Sequence, residues 1–111
     1  MLAILLGTLT VTSYRPVPSQ TRPECRDRWH CDTANGDGVT RYGIAVSQDL
    51  LRAGLVRYGD VLCVDGLSCR VVNDCMNPRI RRAVDLMVFT RAEEKRIGVR
   101  HLKVYKLEVR K

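Results

Sequence analysis

The apolar residues of this chain come in short runs, and turn chemistry closes almost every run. That pattern limits the fold more than any other feature. T-L-T-V-T-S-Y, Thr8–Tyr14, alternates like a strand and ends at R-P-V-P. Gly43–Val46 is a short apolar strand. Asp60–Val64 and Arg70–Asn73 form a hairpin about Asp65-Gly66, a dipeptide suited to a tight turn. Asn77-Pro78 turns the chain again, and Ala83–Val88 is the next strand. Leu102–Val109 closes the series, with Leu102, Val104 and Leu107 as the expected inward residues. Helix signals are few. Ser47–Ala53 is one turn with Ser47 as N-cap, and Thr90–Ile97 carries a Thr90/Glu93 capping box with Gly98 as its stop. Six short strands with one or two short helices predict a mainly β fold, a small closed barrel.

With 111 residues only one such domain fits. Residues 8–111 are read as the barrel domain. Residues 1–7 are read as a short apolar segment, either an arm inserted into a neighbour or the start of the first strand. No apolar run approaches the length of a transmembrane helix, so no membrane span is expected. Aromatic residues are 5% of the chain, which argues against a stacking platform for single-stranded nucleic acid. The formal charge is +7, and it is unevenly placed. Residues 79–111 hold eleven of the nineteen Lys and Arg side chains and four of the twelve acidic ones. A one-sided basic surface points to a polyanionic partner, such as nucleic acid or a bacterial wall with carboxylates on its peptide stems. The plain alternative is a solvated basic face.

Five cysteines in a domain of this size point to an oxidising setting. Cys63 and Cys69 flank V-D-G-L-S, a turn between two apolar runs, so a disulfide across the hairpin is geometrically available. Cys25 and Cys31 would close a second small loop, leaving Cys75 as the odd thiol. The C-x5-C spacing does not fit the usual zinc pairs, even with His30 beside Cys31, and no metal is expected. The start of the chain lacks a basic n-region and a small-residue cleavage site, so it does not read as a signal peptide. Disulfides without a visible export signal are reconciled if the protein acts in a virus particle. Otherwise its cysteines suit a periplasmic or extracellular setting.

Two stretches carry more. They are T-A-N-G-D-G-V-T-R-Y-G-I-A-V-S, Thr33–Ser47, and V-V-N-D-C-M-N-P-R-I-R-R-A-V-D-L, Val71–Leu86. Together with the helix after them they resemble double-psi β-barrel domains of bacterial cell-wall enzymes, namely the three-aspartate and rare-lipoprotein-A families. Both families place an Asp after a V-x-V-type strand and a second Asp eleven residues on, here Asp74 and Asp85. The resemblance spans about residues 8 to 109. The chain departs from the pattern in three places. Ser47 stands where an aspartate or histidine follows I-A-V, with Asp49 two residues on. Cys75, Met76 and Asn77 replace glycines. Asp37 falls where the rare-lipoprotein-A family has a glutamate.

The resemblance implies lytic transglycosylation of peptidoglycan, with cleavage between N-acetylmuramic acid and N-acetylglucosamine and a 1,6-anhydro product. One carboxyl group suffices, first as acid and then as base, and no cofactor is needed. Asp74 is the expected acid/base and Asp85 the group that tunes it through like charge. Asp37, Ser47, Asn73 and Arg79 are the expected substrate contacts, and Trp29 is a candidate for stacking on a sugar. The plain alternative for Asp74 is a turn aspartate capping N-D-C-M-N-P. The expected partners are peptidoglycan strands and other virion proteins of a phage tail. The rival readings are a structural virion module that has kept the barrel without catalysis, and a nucleic-acid-binding barrel, which the chain's lack of a nucleic-acid motif disfavours.

Overall fold

The computed structural model describes residues 2–15 and 43–108. Among them the elements run β1 (Leu2–Tyr14), β2 (Gly43–Val46), α1 (Gln48–Arg52), β3 (Val61–Val64), β4 (Cys69–Cys75), β5 (Ala83–Met87), α2 (Arg91–Ile97) and β6 (Arg100–Glu108). The six strands close into one barrel in the order β1-β5-β2-β4-β3-β6. The closed, mainly β barrel expected from the sequence is therefore present. Two neighbouring pairs are parallel, β1 with β5 and β2 with β4. The remaining pairs are antiparallel. Parallel neighbours cannot be joined by a tight hairpin, so the chain must cross over to form them. This mixed order is compatible with a double-psi barrel.

Alternation fills the inside. Leu9 and Val11 of β1, Ile44 and Val46 of β2, Leu62 and Val64 of β3, Val72 of β4, Val84 and Leu86 of β5 and Val104 of β6 form one buried cluster with Leu50 and Val56. Each fully buried aliphatic side chain contributes about 1.5–3 kcal/mol relative to exposure. These side chains are the main cohesion of a small barrel.

Several boundaries differ from the sequence reading. The first strand begins at Leu2, not Thr8, because Leu2–Leu5 pair with the far end of β6, Leu2 opposite Glu108. The second strand of the hairpin runs on to Cys75, so Asp74 belongs to a strand, as Asn73 does, and not to a turn. In β6 the inward residues are Leu102 and Val104, as expected, but Leu107 is not one of them. Cross-strand partners share a face. Leu62, fully buried, lies opposite Lys106, and Val61 lies opposite Leu107. Strict alternation from Val104 thus carries Lys106 to the inner side, where its ammonium meets Glu108 at 3.3 Å.

The caps also divide. In α2 the Glu93 N–H donates to Thr90 Oγ1 at 3.1 Å, and the Thr90 hydroxyl donates to Glu93 Oε1 at 3.1 Å. Gly98 then leaves the helix at φ 57°. Ser47 occupies the N-cap position of α1 but makes no cap hydrogen bond. Its Oγ accepts from the Ala83 N–H at 3.0 Å instead. The Cys63–Cys69 disulfide is formed, between residues directly opposite each other in β3 and β4, with Cα atoms 3.9 Å apart. Cys75 is buried. Among the described residues no helix is long and apolar enough to cross a membrane.

Candidate active site

The two aspartates are brought together by register. Asp85 of β5 lies opposite Ala45 of β2, and Ala45 lies opposite Asp74 of β4. On the other side, Asp85 lies opposite Thr12 of β1. Thr12, Asp85, Ala45 and Asp74 therefore form one rung across four strands. The rung is on the outer face, because the residues next to it, Val11, Val84 and Val46, point into the barrel.

Asp74 reaches this face through a β-bulge. Ile44 pairs with Val72, but the next residue, Ala45, pairs with Asp74, so Asn73 is the extra residue. Plain alternation from the buried Val72 would have aimed Asp74 inward. The bulge shifts the phase by one, and Asp74 turns outward while Cys75 turns in. Gly43 makes room for this. A Cβ there would lie 2.5 Å from both amide atoms of Asn73. Asn73 itself is 4% exposed.

Around the rung the outer face is apolar. Tyr14, Ala45, Met76, Ala83 and Met87 form a second buried cluster, separate from the core. Tyr14 and Met87 are direct partners beside Asp85. Asp85 is half-buried among them, and Thr12 Oγ1 donates to its Oδ1 at 2.8 Å. Burial raises its carboxyl above the usual carboxylate range. The Thr12 hydrogen bond opposes the rise, and the negative charges of Asp74 and Glu94 add to it, leaving Asp85 at about 7. Asp74 is half-buried as well, and its Oδ1 accepts from the Cys75 N–H at 2.8 Å. Glu94 comes from α2 and is held by Arg15, whose Nε donates to Glu94 Oε1 at 3.0 Å.

The other sequence candidates fall elsewhere. Ser47 is fully buried, and its backbone N–H and hydroxyl both engage Ala83, so it ties the end of β2 to the start of β5. Asp49 is a second anchor. Its carboxylate accepts from the Arg82 N–H at 3.1 Å. Burial pushes the Asp49 carboxyl up, but hydrogen bonds from Ser47 and from backbone N–H groups outweigh it and hold the group below its ordinary value. Arg79 is exposed on the loop between β4 and β5, where its N–H donates to Asn77 Oδ1 at 2.9 Å. Asp37, Trp29, His30, Cys25 and Cys31 lie outside the described residues. Thr12 is the residue that sequence reasoning missed. Thr8, Thr10 and Thr12 alternate with Leu9 and Val11, so an outer hydroxyl row was legible, but its partner on β5 was not.

This arrangement supplies a carboxyl raised to about 7, on the same rung as a second carboxyl, in an apolar collar. That is the equipment of general acid chemistry. Among the described residues no group of three His, Cys, Asp or Glu side chains is placed to hold a metal ion. No protein-family model and no curated protein sequence matches the chain.

Proposed function

We propose that this chain is a peptidoglycan lytic transglycosylase built on a double-psi barrel, with Asp85 as the group that carries the proton. The reading rests on one observation above the others. Asp85 sits at about 7, hydrogen-bonded to Thr12 and on the same rung as Asp74, with Ala45 between the two aspartates. This gives Asp85 the role that the family resemblance assigned to Asp74, because burial raises the Asp85 carboxyl.

In the proposed reaction the Asp85 carboxyl donates its proton to the glycosidic oxygen as the C1–O bond breaks. The 6-hydroxyl of the same muramic acid residue then attacks C1, and its proton passes to the Asp85 carboxylate. The anhydro bond is formed, the acid is regenerated and no water is consumed. Asp74, ionised, keeps the proton on Asp85 and faces the positive charge that develops at C1. The basic loop with Arg79 meets the carboxylates of the peptide stems in a salt-sensitive way. The setting that suits this activity is a phage virion or the periplasm, with other virion proteins as neighbours.

The experiment is digestion of purified peptidoglycan, with anhydro-muropeptides read by mass spectrometry. The reading expects product, with kcat/KM falling as pH rises through about 7, where Asp85 loses its proton. It also expects Asp74→Asn to move that fall to lower pH, since a like charge no longer holds the proton in place. Absence of anhydro product from every wall tested would favour the structural virion module, a reading that the structural use of Ser47 already suits.

A further inference from the structure

We infer that the N-terminal half of β1 is a self-association edge, at which two copies of this chain pair strand to strand. β5 pairs with β1 only from Thr10 to Tyr14, while β6 pairs with it from Leu2 to Val11. On the side away from β6, Leu2–Leu6 therefore have no strand beside them among the described residues. A barrel normally abolishes such edges by closure. Here β1 overshoots the closed part, and among the described residues no strand takes up its backbone donors and acceptors along the overshoot.

The segment also lacks the usual guards of an edge, which are charged side chains and proline. No residue from 1 to 14 is charged, in a chain of formal charge +7. Leu2, Ile4 and Leu5 are 40%, 38% and 52% exposed. The cover ends at Gly7, where a Cβ would lie 2.8 Å from Arg82 Nη2, so the guanidinium shields the strand from there on.

A second copy is the occupant that the charges favour. Residues 2–6 bring no charged side chain to such a contact, and the Arg82 guanidinium stands at Gly7, just past the segment that would pair. The nearest charges on β6 at this end, Lys106 and Glu108, are paired with each other at 3.3 Å. The strand is also self-complementary. Antiparallel pairing about a two-fold axis at Ile4 sets Ala3 against Leu5 and Ile4 against Ile4, with each side chain on the same face as its partner. Outer-face neighbours extend the contact, since Leu5 lies opposite Tyr105 and Ala3 opposite Leu107. The area falls below that of a standard stable interface, so the dimer is weak, with a dissociation constant of about 10–100 µM.

Sedimentation equilibrium of the full chain from about 1 µM to 1 mM tests this directly. The expected result is a reversible shift from the 12.6 kDa monomer to twice that mass. Leu5→Lys should weaken association at least about tenfold, because a two-fold axis brings the two new charges close together. Val99→Lys, at a position 70% exposed beyond α2, should leave it unchanged. Circular dichroism checks that each variant folds. If Leu5→Lys does not fold, hydrogen exchange of the wild type replaces it, and the amides of Leu2–Leu6 that point away from β6 should gain protection as concentration rises. A chain that stays monomeric at 1 mM overturns the proposal. So does an association that Leu5→Lys leaves intact, one without added protection at Leu2–Leu6, or one that proves to be an intermolecular disulfide on a non-reducing gel.

Discussion

One wall of the barrel, β1–β5–β2–β4, contains both parallel pairs, a β-bulge and the two aspartates. The opposite wall, β4–β3–β6–β1, is antiparallel throughout and carries the disulfide. The inner faces of both walls belong to one core. Their outer faces differ. On the first wall Tyr14, Ala45, Met76, Ala83 and Met87 are buried and surround a carboxyl pushed to about 7. On the second, Val71 is 40% exposed and Leu5 52% exposed, with the Cys63–Cys69 bridge between them in the sheet order. On the second wall the β3–β4 hairpin places sequence neighbours side by side and the disulfide staples it, while β6 returns from the end of the described chain to pair with β3 and β1. Parallel pairs join distant segments, and only there do Thr12, Asp74 and Asp85 meet.

Breaking the first wall's chemistry should give the largest effect. Asp85→Asn keeps the shape and removes the proton shuttle, so anhydro-product formation should fall by about 10²–10⁴ in a peptidoglycan digest, with folding retained. Full activity in that variant would return the role to Asp74.

Next comes the pH dependence of stability. A carboxyl at about 7 in the folded state and about 3.9 unfolded binds its proton more tightly when folded. Its contribution is full below the unfolded value and is lost as pH rises from about 4 to 7, an upper limit of about 4 kcal/mol. Urea titrations at pH 4 and pH 7.5 should show that slope in the wild type and a flatter one in Asp85→Asn. Equal slopes would place Asp85 in water.

Gly43→Ala should cost about 1–3 kcal/mol, because the new methyl meets the buried Asn73 amide and one of them must shift. As Asn73 forms the bulge, the same variant should disturb Asp74 and lower activity beyond its effect on stability. On the second wall, Cys63→Ser with Cys69→Ser should cost about 2 kcal/mol, since the bridge closes a short loop. That variant should leave the pH profile of any activity untouched. Val71→Thr, at an outer position on the same wall, should change the melting free energy by less than about 0.5 kcal/mol.

On the second wall the β3–β4 hairpin was readable from the residues, whereas the pairing of β6 with β1 and β3 was not. Asp65-Gly66 between two apolar runs specified the hairpin, and the hairpin placed Cys63 opposite Cys69. The first wall was readable only in part. Asp74 and Asp85 stood out through the resemblance to the two cell-wall families, but three things did not. The bulge at Asn73 shows no sequence mark beyond an asparagine in a strand. Ser47 reads as a helix cap and is instead claimed by the Ala83 N–H, a competitor 36 residues away. Thr12 reads as one of three alternating threonines, and only the parallel pairing of β1 with β5 singles it out.

The sequence by itself determined the strand segments, the helix caps of α2, the hairpin disulfide and the closed β class, because each of these depends on residues near one another in the chain. It also marked the two aspartates as a pair. The tertiary structure alone decided where β1 begins, which face Asp74 takes, which residue donates to Asp85 and how far burial raises the Asp85 carboxyl. These outcomes depend on cross-strand register and on burial by side chains from β1, β2 and β5. A proton affinity is set by what surrounds a group, and for Asp85 most of that surrounding comes from strands far away in sequence.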